Sequence, residues 1–339
     1  MVQAFQLQDG FGLEHLRLNP VEPAPAGPYQ VAIAVRAVSL NYRDLLVVKG
    51  LYSKKLPLPL TICSDGVGEV VETGPGVTRV KKGDRVAALF MPGWISGEPD
   101  EAKARTAMGA AMPGMLTERK VLHEDGVSPI PEHLSWEEAA TLPCTGVTAW
   151  NALVDKGRIK SGDSVLIMGT GGVALFALQF AQMAGARIIA ISSSNEKLER
   201  LRAMGAGDAI NYLQNPDWEE AVRKLTGGGV DHVIEVGGAG TLAKSVRATR
   251  MGGRIHLIGN LATGSQTEFN PLPAMMKGIC IQGIFVGSRE MFEAMAKAVA
   301  AAKMRPVIDR VFPFAEAPDA LRHLESRSHF GKVCIRVSE

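Results

Sequence analysis

The sequence predicts an α/β protein of two domains, an irregular β unit and a doubly wound parallel sheet. Three observations carry that expectation. The chain has 339 residues, and at ~100 to 200 residues per domain it has room for about two cores. Residues 1 to about 130 are rich in Gly, Pro and short β-type runs. From Ser164 onward, short apolar runs alternate with amphipathic segments, which implies parallel strands covered by helices on both faces.

In order, the first part carries "QVAIAVRAVSL" (30–40) and "DGVGEVVETG" (65–74), β-type runs set apart by the turn-formers "EPAPAGP" and "GPGVTRVKKGD". The second part then reads strand "SVLIMG" (164–169), helix "GVALFALQFAQMAG" (172–185), strand "RIIAIS" (187–192) and helix "NEKLERLRAMG" (195–205). The alternation continues with "DAINY" (208–212), helix "DWEEAVRKLTG" (217–227), "DHVIEVG" (231–237), helix "LAKSVRATRMG" (242–252), "GRIHLIG" (253–259) and "IQGIFVG" (281–287). A helix, "REMFEAMAKAVAAAKM" (289–304), and a last β run, "GKVCIRV" (331–337), finish the chain.

Lys plus Arg number 37 against 35 Asp plus Glu, so no global field draws the protein to nucleic acid or an anionic membrane. The start "MVQAFQLQDGFGLEHL" lacks a signal peptide's basic and apolar regions, and no uncharged apolar run approaches ~20 residues. A soluble, cytoplasmic protein is expected. Cys63, Cys144, Cys280 and Cys334 form no CxxC and read as reduced, buried small hydrophobes. His256, inside a strand, reads as a satisfied core histidine; His123, His133, His323 and His329 have no partners at ligand spacing. For Met91, Met108, Met112 and Met115 two readings stay open, an adaptable apolar substrate wall or the packing of a surface flap.

Chemistry enters at the first βα junction. Gly169, Gly171 and Ala174 form G-x-G-x-x-A directly after a strand and at the opening of a helix, the context of the dinucleotide fingerprint. Gly169 makes the tight turn, Gly171 lets the backbone approach a pyrophosphate, and small Ala174 lets helix pack on strand. Thr170, Gly172 and Val173 complete the candidate phosphate loop, with free N–H groups at the helix start. NAD-binding versions place an acidic residue about 20 residues further on, against the ribose 2′-hydroxyl. Ser192 occupies that slot, followed by Ser193 and Ser194. A carboxylate there would repel a 2′-phosphate, whereas hydroxyls donate to it. Ser193 with Glu196 fits a capping box, and Lys197 and Arg200 lie one turn on. NADP(H) is therefore expected in preference to NAD(H). Gly237, Asn260 and Val286, at later strand ends, are expected to line the cofactor.

Together with this fingerprint, "SLNYRDLLVVKGLY" (39–52), "ICSDGVGEVVETG" (62–74), "VKKGDRV" (80–86) and "AATLPCTGVTAWNAL" (139–153) make the sequence resemble the medium-chain dehydrogenase/reductase superfamily of zinc alcohol dehydrogenases, quinone oxidoreductases and enoyl reductases. The resemblance covers essentially the whole chain. It implies a GroES-like catalytic domain of residues 1–130 completed by 288–339, a Rossmann domain of residues 131–287, and a homodimer paired through the edge strand 281–287. It also implies that Thr148 approaches the nicotinamide.

Zinc-dependent relatives ligate their metal with a Cys where this chain has Asn41, a His where it has Ser64, and a Cys or His where it has Cys144. One candidate ligand remains, against the three plus an open position usual for catalytic zinc. The segment "PGWISGEPDEAKARTAMGAAMPGM", which matches a cysteine-rich loop of many zinc members, contains no Cys. A zinc-free enzyme is expected. The charge that develops on a substrate oxygen then needs another partner, and the metal-free reductases of the family suggest Tyr52, in Gly50-Leu51-Tyr52. Tyr42 is the competing phenol, Asn41 is a candidate for orienting substrate or nicotinamide, and Arg43 with Asp44 reads as an ion pair bracing the loop. The expected function is NADP(H)-dependent, zinc-independent hydride transfer to an apolar quinone, enone or carbonyl substrate. The alternatives are a zinc-free alcohol dehydrogenase and a nonenzymatic nucleotide-binding member.

Overall fold

In the computed structural model, residues 1–261 and 269–338 are described. They fall into two units, Met1–Val147 with Val286–Glu339, and Thr148–Phe285. The first stretch carries β1 (Val2–Leu7), β2 (Leu16–Val21), β3 (Gln30–Leu40), β4 (Leu60–Thr61), β5 (Asp65–Thr73), β6 (Arg85–Ala88), β7 (Arg119–His123) and β8 (Val127–Pro129). The second unit carries β9 (Ser164–Met168), β10 (Arg187–Ser192), β11 (Asp208–Asn211), β12 (Val230–Glu235), β13 (Thr249–Leu257) and β14 (Cys280–Gly283). The chain then returns to the first unit with β15 (Ile308–Pro313) and β16 (Lys332–Arg336).

The first unit is built around β3, which pairs antiparallel with β5, β7 and β16. Its main sheet runs β15-β16-β3-β5-β6-β8, with β7 also on β3, and β2-β1-β4 form a smaller sheet. Val333 of β16 faces Leu40 and Arg336 faces Ala37, so the chain's last strand completes a sheet begun by its first residues. Val31, Ile33, Val35, Val38 and Leu40 are buried and share one core with Val333 and Ile335. Of the methionines of the 91–115 segment, Met108 and Met115 belong to this core, Met91 is also buried, and Met112 is half-buried. Gly66 makes room for one of them, since a Cβ there would stand 2.7 Å from the Met115 Cβ.

The second unit has strand order β11-β10-β9-β12-β13-β14, and every neighbouring pair is parallel. The order reverses between β9 and β12, the switch point of a doubly wound sheet, where ligands bind at the strands' carboxyl ends. Buried Leu166, Ile189, Val233 and Ile255, one from each of the four inner strands, anchor the core.

Three local expectations shift. The helix predicted over 242–252 stops at Ala248, and β13 begins at Thr249, whose hydroxyl donates to Ser245 O at 2.6 Å. β-Branched Thr249 adopts the extended conformation, and Gly252 at φ +68° suits a turn within the strand better than a helix. The strand expected over 281–287 ends at Gly283, and Val286, at φ +51°, has left the extended region. The helix after the serines runs Asn195–Ala203 with Ser194, not Ser193, as its N-cap. Counting from Ser194, the N3 residue is Lys197, which carries no acceptor, so the reciprocal half of a capping box is absent.

Candidate active site

The first unit holds a buried polar chain at the positions where the resemblance places zinc ligands. Asn41 follows β3 and caps the helix Tyr42–Val48, and its backbone N–H donates to the Asp44 carboxylate at 2.8 Å. Its side chain is engaged at both atoms: Oδ1 accepts from Lys332 Nζ at 2.6 Å, and Nδ2 donates to Ser64 Oγ at 3.4 Å. Ser64 in turn donates to Asp65 Oδ1 at 2.8 Å, and the Cys144 backbone N–H donates to Asp65 Oδ2 at 3.1 Å. Lys332 also donates to Leu40 O at 2.6 Å. Asn41, Ser64, Asp65 and Lys332 are all 5 % exposed or less. Burial pushes Asp65 up to about 6, with the Lys332 ammonium opposing. The Cys144 thiol is raised far above its usual range by desolvation, so it stays protonated. Among the described residues no group of three or more His, Cys, Asp or Glu stands close enough to hold a metal ion.

Lys332 and Asp65 were not among the sequence candidates. The signal for Lys332 was a lone cation in the otherwise apolar "GKVCI", where a buried strand position leaves an ammonium only internal partners.

Tyr52 lies just beyond the helix Tyr42–Val48. The N–H groups of Leu51 and Tyr52 both donate to Leu46 O, at 2.8 and 3.0 Å, after a turn at Gly50 with φ +66°. A Cβ on Gly50 would meet the Phe11 ring at 2.8 Å, so glycine is required there. The Tyr52 side chain is exposed. Its neighbour is Arg43, whose guanidinium lies 4.7 Å from the ring centroids of both Tyr52 and Phe90. Arg43 Nη1 donates to Met108 O at 2.8 Å. The expected Arg43–Asp44 ion pair is therefore replaced, because adjacent helical residues do not face each other; Asp44 bonds Asn41 instead. Tyr42 is half-buried against the core, with the Arg327 guanidinium 5.9 Å from its ring centroid.

In the second unit the glycine turn follows β9. Gly169 has φ +79°, where a side chain would be strained, and its N–H donates to Ile191 O at 2.8 Å, tying the turn to β10. A Cβ on Gly169 or Gly171 would meet no protein atom within 4 Å, so the space before the turn is open. Gly171 caps the twelve-residue helix Gly172–Met183, whose first N–H groups and dipole suit an anion. Thr170 and Ala174 are buried, while Gly172 and Val173 are partly exposed. The residues present fit a dinucleotide pyrophosphate.

Ser192, 4 % exposed, ends β10 and its Oγ accepts from Ser194 N–H at 3.4 Å. Ser194 Oγ accepts from Lys197 N–H at 3.3 Å, and Ser193 is exposed. Gly237 N–H donates to Glu235 Oε1 at 2.7 Å, and Asn260 Oδ1 accepts from Ala239 N–H at 3.2 Å. The sheet thus brings Gly169–Val173, Ser192–Ser194, Gly237 and Asn260 to the carboxyl ends of β9, β10, β12 and β13. Thr148 is buried in the helix Val147–Trp150, at the start of this unit. Val286 falls in the first unit.

A Rossmann sheet with this turn, in one chain with a GroES-like β unit, defines a two-domain dehydrogenase/reductase. The chain belongs to the medium-chain dehydrogenase/reductase superfamily and is an oxidoreductase of that type. The alcohol dehydrogenase GroES-like domain matches residues 27–132, and the zinc-binding dehydrogenase family matches residues 172–301. A zinc-type alcohol dehydrogenase-like protein of Schizosaccharomyces pombe is 39% identical over 96% of this chain and 96% of its own length. The crystal structure of an NAD-dependent alcohol dehydrogenase superposes with a TM-score of 0.90 at 35% identity, covering 99% of this chain and 100% of the other. The 2-octenoyl-CoA carboxylase reductase CinF, solved with NADP and 2-octenoyl-CoA, gives a TM-score of 0.87 at 26% identity, covering 99% and 87%. No described helix is long and apolar enough to cross a membrane.

Proposed function

We propose that the protein is an NADP(H)-dependent oxidoreductase that works without zinc and transfers hydride between the nicotinamide and an apolar quinone, enone or carbonyl substrate. One observation carries the reading. The zinc-ligand positions hold Asn41 and Ser64, bonded to each other, with Asn41 also bonded to Lys332, while an exposed phenol, Tyr52, stands in the same unit. The nicotinamide, when bound, supplies or accepts the hydride. Tyr52 is the proton or hydrogen-bond donor to the substrate oxygen, and Tyr42 is the reserve candidate. Asn41, whose amide is held by Lys332 and Ser64, is a positioning residue at the end of β3 and not a substrate contact.

Gly169–Val173 bind the pyrophosphate, while Ser192, Ser193 and Lys197 receive a 2′-phosphate. Gly237, Asn260, Thr148 and Val286 complete the cofactor side. The NADP of the CinF complex supports this cofactor, and the NAD-dependent neighbour supports NAD(H) as the alternative. The alcohol dehydrogenase names among the relatives favour a second reading, alcohol oxidation by the same zinc-free site. A homodimer is proposed through β14, the outer strand of its sheet, reached from the helix Leu272–Met276, whose Met275 and Met276 are highly exposed.

The decisive test is Tyr52→Phe, which keeps the ring and removes the hydroxyl. A positioned general acid is worth typically ~10² to 10⁴-fold, so kcat should fall at least about tenfold, with water as a partial substitute, while cofactor affinity and folding hold. A kcat within twofold of the parent, on a substrate whose chemical step limits the rate, would remove Tyr52 from the chemistry.

A further inference from the structure

The side chain that the sequence assigned to an ion pair, Arg43, has a different setting. Together with Tyr52 it lines a cavity of about 450 Å³ in the first unit. The other cations on its wall are Lys55 and Arg105, both exposed. The one carboxylate on the wall, Glu101, is already 3.2 Å from Arg105 in an exposed i,i+4 pair. The remaining wall is short and apolar, with Leu56 and Ala107 among its residues. Met91, Met108 and Met115 of the 91–115 segment are buried, and this segment gives the cavity alanines, Arg105 and Glu101.

Arg43 is held in place with part of its donor capacity unused. A guanidinium has five N–H donors in a planar fork. Here Nη1 donates to Met108 O, while Nε and Nη2 have no partner among the described residues and are enclosed from solvent. Stacking on Tyr52 and Phe90 fixes the plane without using those N–H groups. The Tyr52 ring, exposed and outside regular secondary structure, lies against that guanidinium and lines the same cavity. A buried donor without an acceptor is a standing cost that an incoming oxyanion removes.

We propose that this cavity is an anion-anchoring subsite, with Arg43 at its base and Lys55 and Arg105 at its mouth, so that the substrate bears a carboxylate or phosphate joined to a short apolar chain. The proposal rests on the reading that the first unit carries the substrate side of the reaction, and it narrows that reading's substrate class.

The test measures binding alone, on the full chain, by calorimetric titration with hexanoate, hexyl phosphate and neutral hexanol. At low salt, at least one anion should bind about tenfold more tightly than hexanol, the order expected of one or two charge-assisted hydrogen bonds, and salt should shrink the preference. Preference for hexanoate identifies a carboxylate, and preference for hexyl phosphate identifies a phosphate. R43Q should abolish the preference and R43K should keep part of it. K55Q/R105Q, at exposed positions that leave the core intact, should reduce it several-fold and decides the matter even where R43Q fails to fold. Hexanol binding as tightly as both anions, or an anion preference unchanged in K55Q/R105Q and in any folded R43Q, overturns the proposal. Because no turnover is measured, failure here leaves hydride transfer intact, and a silent Tyr52→Phe leaves the subsite intact.

Discussion

Ser192→Asp places a carboxylate at the end of β10, and its effect can be worked from the local geometry. Ser192 is 4 % exposed and its Oγ accepts from Ser194 N–H at 3.4 Å. Aspartate keeps an acceptor for that bond, so the turn into the helix Asn195–Ala203 should survive. Against NADPH the variant loses a charge-assisted hydrogen bond, worth ~1.5 to 3 kcal/mol, and adds repulsion. At about 5 Å and an effective dielectric of ~20, each unit of like charge costs about 3 kcal/mol, and the 2′-phosphate carries about −1.5 to −2. Even halved for screening and side-chain rotation, the sum moves the NADPH-to-NADH affinity ratio by at least about a hundredfold. The measurement is fluorescence titration of both reduced cofactors at ~0.15 M salt, with the parent preferring NADPH and the variant NADH. Ser194→Ala should leave the preference alone and cost only the cap, ~1 kcal/mol of stability, since that hydroxyl is already bonded to Lys197 N–H. Equal affinities in the parent, or a ratio unmoved by Ser192→Asp, would refute the assignment of the serines to a 2′-phosphate.

Purified protein should contain well under one zinc per chain by elemental analysis and keep its activity after prolonged chelation; stoichiometric zinc whose removal abolishes turnover would end the zinc-free reading. Sedimentation should give twice the 36.1 kDa chain mass, and a charged residue in place of Ile281 on β14 should shift the mass toward the monomer, whereas a monomeric parent excludes the pairing. His256→Gln should flatten the acid side of the stability profile. Urea melts followed by hydrogen exchange in the second unit should show that unit of the parent losing stability as pH falls below about 6.5, and a variant with the same acid slope would show that His256 does not carry it.

Much of the architecture was legible because it rests on periodicity and on residues with one physical use. The strand–glycine–helix order around Gly169 needs no tertiary information, since the left-handed turn and the open space at Gly171 follow from absent side chains. Boundaries failed where neighbouring residues offer the same chemistry. Ser193 and Ser194 each carry a capping hydroxyl, and Glu196 drew the expectation to the wrong one. Thr249 ended a helix that the apolar pattern would have extended. The buried chain from Lys332 to Asp65 joins residues 267 positions apart in sequence, so no local pattern reveals it. Arg43 was misread for a related reason: an adjacent opposite charge suggested a partner, whereas its setting is made by Tyr52, Phe90 and Met108, which converge only in the fold.

The two units carry buried titrations of opposite sign, and this fixes how acid acts on the molecule. In the second unit His232 Nδ1 and His256 Nε2 lie 3.1 Å apart, with Asp163 3.2 Å from His232 Nε2. Burial lowers His256 to about 3 and also lowers His232, where Asp163 opposes the shift. The fold therefore holds His256 neutral. Its contribution is present above the unfolded value of about 6.5 and is lost as pH falls toward 3, up to ~5 kcal/mol over the whole span. In the first unit Asp65 is raised from 3.8 to about 6. The fold binds its proton more tightly than the unfolded chain does, so stability falls as pH rises from about 4 to 6, by up to ~3 kcal/mol. Acidification from neutrality through that window thus relieves the first unit while it weakens the second. Acid unfolding should begin in the unit that carries the glycine turn and the serines, so cofactor binding should fail before the buried Lys332–Asn41–Ser64–Asp65 chain opens.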